Sequence, residues 1–164
     1  MEALGAAAGH PGRVYLTGGA TAVLSGWRPS TIDIDLKFVP EADDVLRAVP
    51  RLKETIPINV ELASPDLFIP VPPGWEDRSP FVARLGALDF HHFDLYSQAL
   101  AKVERGHERD VADVREMLAR GLVLPERALE FFAVIEPELY RFPAIDPAAF
   151  RRAVETAFAR SDTK

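Results

Sequence analysis

Val14-Tyr-Leu-Thr-Gly-Gly-Ala-Thr-Ala-Val-Leu-Ser-Gly-Trp-Arg-Pro-Ser-Thr-Ile-Asp-Ile-Asp-Leu-Lys37 is the stretch on which the reading of this chain turns. Arg13 to Thr17 reads as a strand around an apolar run. Gly18-Gly19 turns it into a short helix over Ala20 to Gly26, with Gly26 suited to the C-terminal cap. Trp27 to Thr31 connects, and Ile32 to Val39 is extended again. On a strand, residues two apart share a face. Asp33 and Asp35 therefore point one way, and Ile32, Ile34 and Leu36 point the other. Two carboxylates so close repel unless a cation or a proton lies between them. A Mg²⁺ site for phosphoryl chemistry needs such a pair, because that ion takes oxygen ligands and often only one or two carboxylates. Each feature alone has a plain structural reading: an exposed Asp-x-Asp on a strand, and a tight glycine turn.

The order is more specific than the parts. Strand, Gly-Gly, helix, Arg28-x-x-Thr31, then Asp33-x-Asp35 on a second strand resembles the nucleotidyltransferase superfamily, which includes DNA polymerase beta and the antibiotic nucleotidyltransferases. Within it the resemblance is nearest to AbiEii-type toxins and related uncharacterised bacterial nucleotidyltransferase-like proteins. The resemblance implies Mg²⁺, with Mn²⁺ as a substitute, held by Asp33 and Asp35. It implies an NTP whose phosphates meet Gly18, Gly19 and Arg28, with Thr31 bonding beside the metal. It also implies a third carboxylate between two apolar residues on the next strand, where Val60-Glu61-Leu62 stands. Glu61 would complete the metal site or act as a base. An exposed strand glutamate is the plain alternative. Asp66, in the following Ser-Pro-Asp turn, is the rival carboxylate, better suited to a turn or cap.

Bulk composition frames this reading. The chain has 164 residues, 48% hydrophobic and 27% charged, which suits a globular domain with a real core. It has no cysteine, so neither disulfides nor thiolate zinc sites are available. No apolar run is long enough for a membrane span, and residues 1–10 lack the pattern of a secretory signal. The cytoplasm is the default expectation. A net charge of −6 argues against non-specific nucleic-acid binding over the whole surface.

Beyond the second strand, Glu41 to Thr55 reads as a helix with Val45, Leu46, Val49 and Leu52 on one side, kinked or split by Pro50. Pro57 to Ala63 is the third strand, with Ile58, Val60 and Leu62 alternating against Asn59 and Glu61. Residues 65–79 form a Pro/Gly-rich loop whose Trp75 and Arg78 would either line a cleft or cover a sheet edge. Phe81 to Leu95 reads as two strands turning at Gly86-Ala87. His91 and His92 face opposite ways there and cannot both chelate one metal, so one should pack and the other be exposed. Asp94 would cap the next helix or approach the site.

Ser97 to Leu118 reads as two helices separated by Gly106. Leu100 and Val103 form one apolar face, and Val111, Val114 and Leu118 another. Lys102, Arg105, Arg109, Asp110 and Asp113 lie on the polar side. As helix-surface pairs these are worth a few tenths of a kcal/mol each. The run also resembles the Lys…Arg…Arg-Asp-x-x-Asp signature of the AbiEii-like proteins. By that match Lys102 contacts the nucleotide, Arg109 and Asp110 belong to the nucleotide site, and Asp110 or Asp113 supports the lysine. Glu126 to Tyr140 and Pro147 to Arg160 are two further helices, with Leu129, Phe132 and Leu139, then Phe150, Val154, Ala157 and Phe158, as core candidates. Asp146-Pro147 is an N-cap signal.

The expected fold is α/β (α+β): a mixed sheet of about four to six strands flanked by helices, with a C-terminal helical region. Residues 1–123 would form the catalytic core, and 124–164 helices packed on it as one compact domain. The expected activity is Mg²⁺-dependent transfer of an NMP from an NTP to an unidentified acceptor: RNA, protein or small molecule. The alternatives are a non-catalytic binding module on the same fold, or an RNA-modifying toxin with an antitoxin partner.

Overall fold

A computed structural model of the chain describes residues 1–41, 43–56 and 58–159. The side chains of Leu52 and Thr55 fall outside that description, as do Ala42, Pro57, Arg160 and the tail that follows. The elements are α1 (Glu2–Ala7), β1 (Gly12–Thr17), α2 (Gly18–Leu24), β2 (Asp33–Val39), α3 (Asp43–Thr55), β3 (Asn59–Leu62), β4 (Phe81–Leu85), β5 (Leu88–His92), α4 (Leu95–Arg105), α5 (Glu108–Ala119), α6 (Pro125–Ile135) and α7 (Pro147–Ala157). Short 3-10 turns cover Pro65–Leu67 and Glu136–Arg141. No helix among the described residues is long and apolar enough to cross a membrane.

The chain forms two compact units that interleave in sequence. One holds residues 1–64 and 79–93; the other holds 65–78 and 94 onward. The first contains a five-stranded mixed sheet in the order β3-β2-β1-β5-β4. β1 runs antiparallel to β2 and parallel to β5, and β2 runs parallel to β3. Apolar alternation decides which face is covered. Val14, Leu16, Leu36, Phe38, Val60, Leu88 and Phe90 are buried in one cluster with Leu4 of α1, Ala20 of α2 and Val45 of α3. Each fully buried large aliphatic side chain contributes roughly 1.5–3 kcal/mol.

Three expectations about this unit need correction. Ile32 precedes β2 and is 69% exposed, so only Ile34 and Leu36 back the aspartate pair. Leu62, at the end of edge strand β3, is 55% exposed. α3 runs continuously through Pro50, although that residue cannot donate to the helix ladder.

The second unit is built on α4, whose Ser97, Ala99 and Leu100 are wholly buried. α5, α6 and α7 each pack on it. Phe132 of α6 meets Phe150 of α7 edge-to-face, with ring centroids 5.0 Å apart. Gly106, at φ 66°, ends α4 and sends its N–H back to the Lys102 carbonyl. Asp146 caps α7 through the N–H groups of Ala148 and Ala149. Val111, read on the apolar face of its helix, and Leu129, read as core, are 41% and 36% exposed. The helix expected to reach Tyr140 stops at Ile135 and tightens into a 3-10 turn. Pro137 has no N–H for the α ladder, and its ring crowds the preceding turn.

Candidate active site

Sheet register assembles the carboxylates. Asp35 of β2 stands opposite Glu61 of β3 on one side and Thr17 of β1 on the other. Asp33 stands opposite Asn59. Paired residues share a face, so Thr17, Asp33, Asp35, Asn59 and Glu61 project from the sheet face turned away from the aliphatic cluster.

The glycine turn closes on this patch. Gly18 has φ 58°, and a Cβ there would stand 2.8 Å from Asp35 Oδ2. Gly19 lies against Thr31, and a Cβ on it would collide with Thr31 Oγ1. The Thr31 hydroxyl accepts from the Asp33 N–H at 3.2 Å and donates to the Asp33 carbonyl at 2.9 Å. Gly18, Gly19, Thr31, Asp33, Asp35 and Glu61, separate in sequence, are thus brought to one place. Arg28 is half-buried in the connecting loop, and its main-chain N–H donates to the Ala22 carbonyl at 3.3 Å.

Two residues not singled out by the sequence belong to this patch. The Asn59 amide donates to Glu61 Oε1 at 2.6 Å and, at the limit of bonding distance, to Asp33 Oδ1 at 3.5 Å. Lys53 of α3 donates to Asn59 Oδ1 at 3.0 Å. The signal for Asn59 was present: it alternates with Glu61 on one strand and must share its face. Lys53 carried no such signal, because only the packing of α3 beside β3 brings it near.

The donor set is hard oxygen, which suits Mg²⁺ or Mn²⁺, and Asp33 is exposed while Asp35 is half-buried. Among the described residues, no three His, Asp or Glu side chains gather closely enough to hold a metal ion. Glu61 is turned onto Asn59. Asp33 and Asp35 therefore fit as a two-carboxylate set, and Glu61 would join only by releasing the amide. Glu61, not Asp66, is the carboxylate in register with Asp35; Asp66 sits in the 3-10 turn Pro65–Leu67.

The histidines depart from expectation. Both are half-buried, and neither is exposed. His91 Nδ1 donates to the Ser79 carbonyl at 3.1 Å, and its ring lies 5.6 Å from that of Tyr15. His92 Nδ1 lies 3.1 Å from Thr21 Oγ1, whose own proton goes to the Leu16 carbonyl, so the imidazole donates. Burial holds the His92 pKa below its ordinary value.

The other predicted residues lie in the helical unit. Lys102 is buried and donates to Asp113 Oδ2 at 2.7 Å and Asp110 Oδ1 at 3.3 Å. Both aspartates therefore hold it. Asp110 also takes Arg105 in a two-pronged pair at 2.6 and 2.7 Å. Burial raises the Asp110 pKa, but the Arg105 hydrogen bonds and the Lys102 and Arg105 charges outweigh it and bring the carboxyl below its usual range. Arg109 is exposed in the first turn of α5. Arg78 is tied down within its own segment and to the start of α4. It pairs with Asp94 at 3.1 Å, donates to the Pro72 and Pro73 carbonyls, and lies over the Phe131 ring. Asp94 itself caps α4 through Ser97.

No curated protein and no solved structure matches the chain. Residues 7–124 match the family described as "Nucleotidyltransferase of unknown function (DUF6036)". That span holds the sheet, the glycine turn and the carboxylate patch, and it covers well over half of the chain: this protein belongs to that family of the nucleotidyltransferase superfamily.

Proposed function

We propose that this nucleotidyltransferase moves a nucleoside monophosphate from a nucleoside triphosphate to a hydroxyl or phosphate acceptor, with Mg²⁺ or Mn²⁺ as cofactor. One observation carries the reading: the register that sets Asp35 opposite Glu61, beside Asp33 and against Gly18. Asp33 and Asp35 are the residues that would hold the ion, with Glu61 as the third ligand or the base. When bound, the ion supplies neutralisation of the charge on the phosphates and the departing pyrophosphate.

The chain's own residues do the rest. Gly18 and Gly19 have no side chains to keep phosphate oxygens from the main chain. Thr31 fixes the peptide of Asp33, and with it the direction of the carboxylate. Arg28 is the cation assigned to the triphosphate. Glu61, freed from Asn59, would take the proton of an attacking hydroxyl. Lys102 is assigned to its own cluster. Turning it toward a phosphate would leave Asp110 and Asp113 buried without it, at a cost of several kcal/mol.

The test is calorimetric titration of each Mg²⁺–NTP into the wild type and into an Asp33→Asn/Asp35→Asn double variant. One nucleotide should bind the wild type, and its affinity should drop at least about tenfold in the variant, about 1.4 kcal/mol or more. Asp33→Asn with full transfer activity would sink the proposal.

A second reading, a non-catalytic nucleotide-binding module, is favoured by the Asn59 amide lying against both Glu61 and Asp33. On that reading Glu61→Gln leaves nucleotide affinity unchanged, and no pyrophosphate is released with any acceptor.

A further inference from the structure

α5 and α7 each pack on α4. Between them runs a groove of about 440 Å³, open over the C-terminal end of α4. Val103 of α4 and Gly106, its C-cap, line the base, Val111 and Leu118 line one wall, and Ala153 and Ala157 line the other. Val111 is 41% exposed there, high for a β-branched aliphatic residue in a helix. Arg115 of α5 and Arg152 of α7 line the groove from opposite walls. Both are exposed, and neither has a carboxylate partner among the described residues. Neighbouring charges are taken up elsewhere: Glu116 pairs with Arg120, and Arg151 with Glu136.

We infer that this groove is a docking site for an acidic amphipathic helix of a partner protein. Three features select that occupant. The groove lies between two helices and over a third, so a helix laid in it completes a four-helix cluster. Gly106, Ala153 and Ala157 keep side-chain bulk low, which permits the interaxial distance of about 8–10 Å at which helices pack. Val111 and Leu118 are two turns apart and present the spacing that a partner's i, i+3/i+4, i+7 stripe would meet. The two arginines then fall beside the partner's flanks, where acidic residues would pair with them. This basic rim is a local exception on a chain of net charge −6, so it selects an acidic partner by steering as well as by contact. Only the α4–α5 side of the groove lies within the span matched to the family; α7 lies beyond it. The inference does not depend on nucleotide chemistry.

The test uses the full chain and a labelled synthetic helix of about five turns with a leucine stripe and glutamate flanks, read by fluorescence anisotropy. A second peptide carries lysine flanks. The acidic peptide should bind the wild type, and Arg115→Glu/Arg152→Glu should weaken it at least about tenfold. The lysine-flanked peptide should prefer the reversed variant. Ala153→Trp, which fills the groove from an incompletely buried site, should abolish binding of the acidic peptide while the circular dichroism stays unchanged. No binding of the acidic peptide, or binding that the reversal leaves within about twofold, overturns the inference. So does a dimer of the chain alone that the reversal dissociates, since the groove would then belong to a second copy.

Discussion

Gly18 meets two constraints at once. Its φ of 58° suits a residue without a Cβ, and the space a Cβ would fill holds the Asp35 carboxylate. Gly18→Ala should lower stability by about 1–3 kcal/mol and also turn the Asp35 carboxylate. Urea unfolding measures the first effect, and Mg²⁺–NTP titration the second. An alanine variant with unchanged midpoint and unchanged affinity would show that neither constraint matters. The glycine pair and both aspartates were legible in the sequence, because a turn residue and a period of two are local properties. What each residue faces was not. Asn59 becomes part of the patch only when β3 docks beside β2 in one particular register. Lys102 shows the opposite case. On a helix surface it reads as a free cation, and in the fold it is enclosed with two aspartates.

Among the elements, α4 depends most on a single residue before its first turn. Asp94 is 1% exposed. It accepts from the main chain and hydroxyl of Ser97 and takes the Arg78 guanidinium. Arg78 in turn holds the Pro-rich segment through Pro72 and Pro73. Asp94→Ala removes a helix cap and leaves the half-buried arginine without its carboxylate, so it should cost about 3 kcal/mol. It should also expose the 65–78 segment to protease. Chemical unfolding and limited proteolysis check the two parts; a loss under about 0.5 kcal/mol, the low end for a cap alone, would refute the shared role. The helices also show what a proline signals. Pro137 ends α6, while Pro50 leaves α3 intact with Val45, Leu46 and Val49 on its packed side. Packing of an amphipathic face supplies most helical stability and carries α3 past one missing bond.

For the whole molecule, the pH response has a histidine part in the sheet unit and a carboxylate part that Asp44 and Asp89 of the sheet unit share with Asp110 of the helical unit. His92, in the sheet unit, has a folded pKa below its ordinary 6.5. The unfolded chain therefore binds its proton more readily. The stability tied to neutral His92 is fully present above pH 6.5 and is lost as pH falls through the folded value. Asp110, in the helical unit, has a folded pKa below the ordinary 3.8. Its contribution holds above pH 3.8 and is lost only as pH falls further, through the folded value. Urea midpoints followed down the pH scale should show two falls. His92→Asn should remove the first and keep the second. A variant that tracks the wild type through pH 6.5 would remove His92 as the cause.

Read alone, the sequence determined that the chain has a mixed α/β fold, a Gly-Gly turn between strand and helix, and an aspartate pair on one strand face. These follow from turn preference and side-chain period, which act over a few residues. Only the tertiary structure decided that Glu61 is the carboxylate opposite Asp35, that Asn59 holds it, that Lys102 is enclosed, and that residues 65–78 belong with the C-terminal helices. Strand register and burial depend on contacts between segments far apart in the chain, and local residue preferences do not encode those contacts.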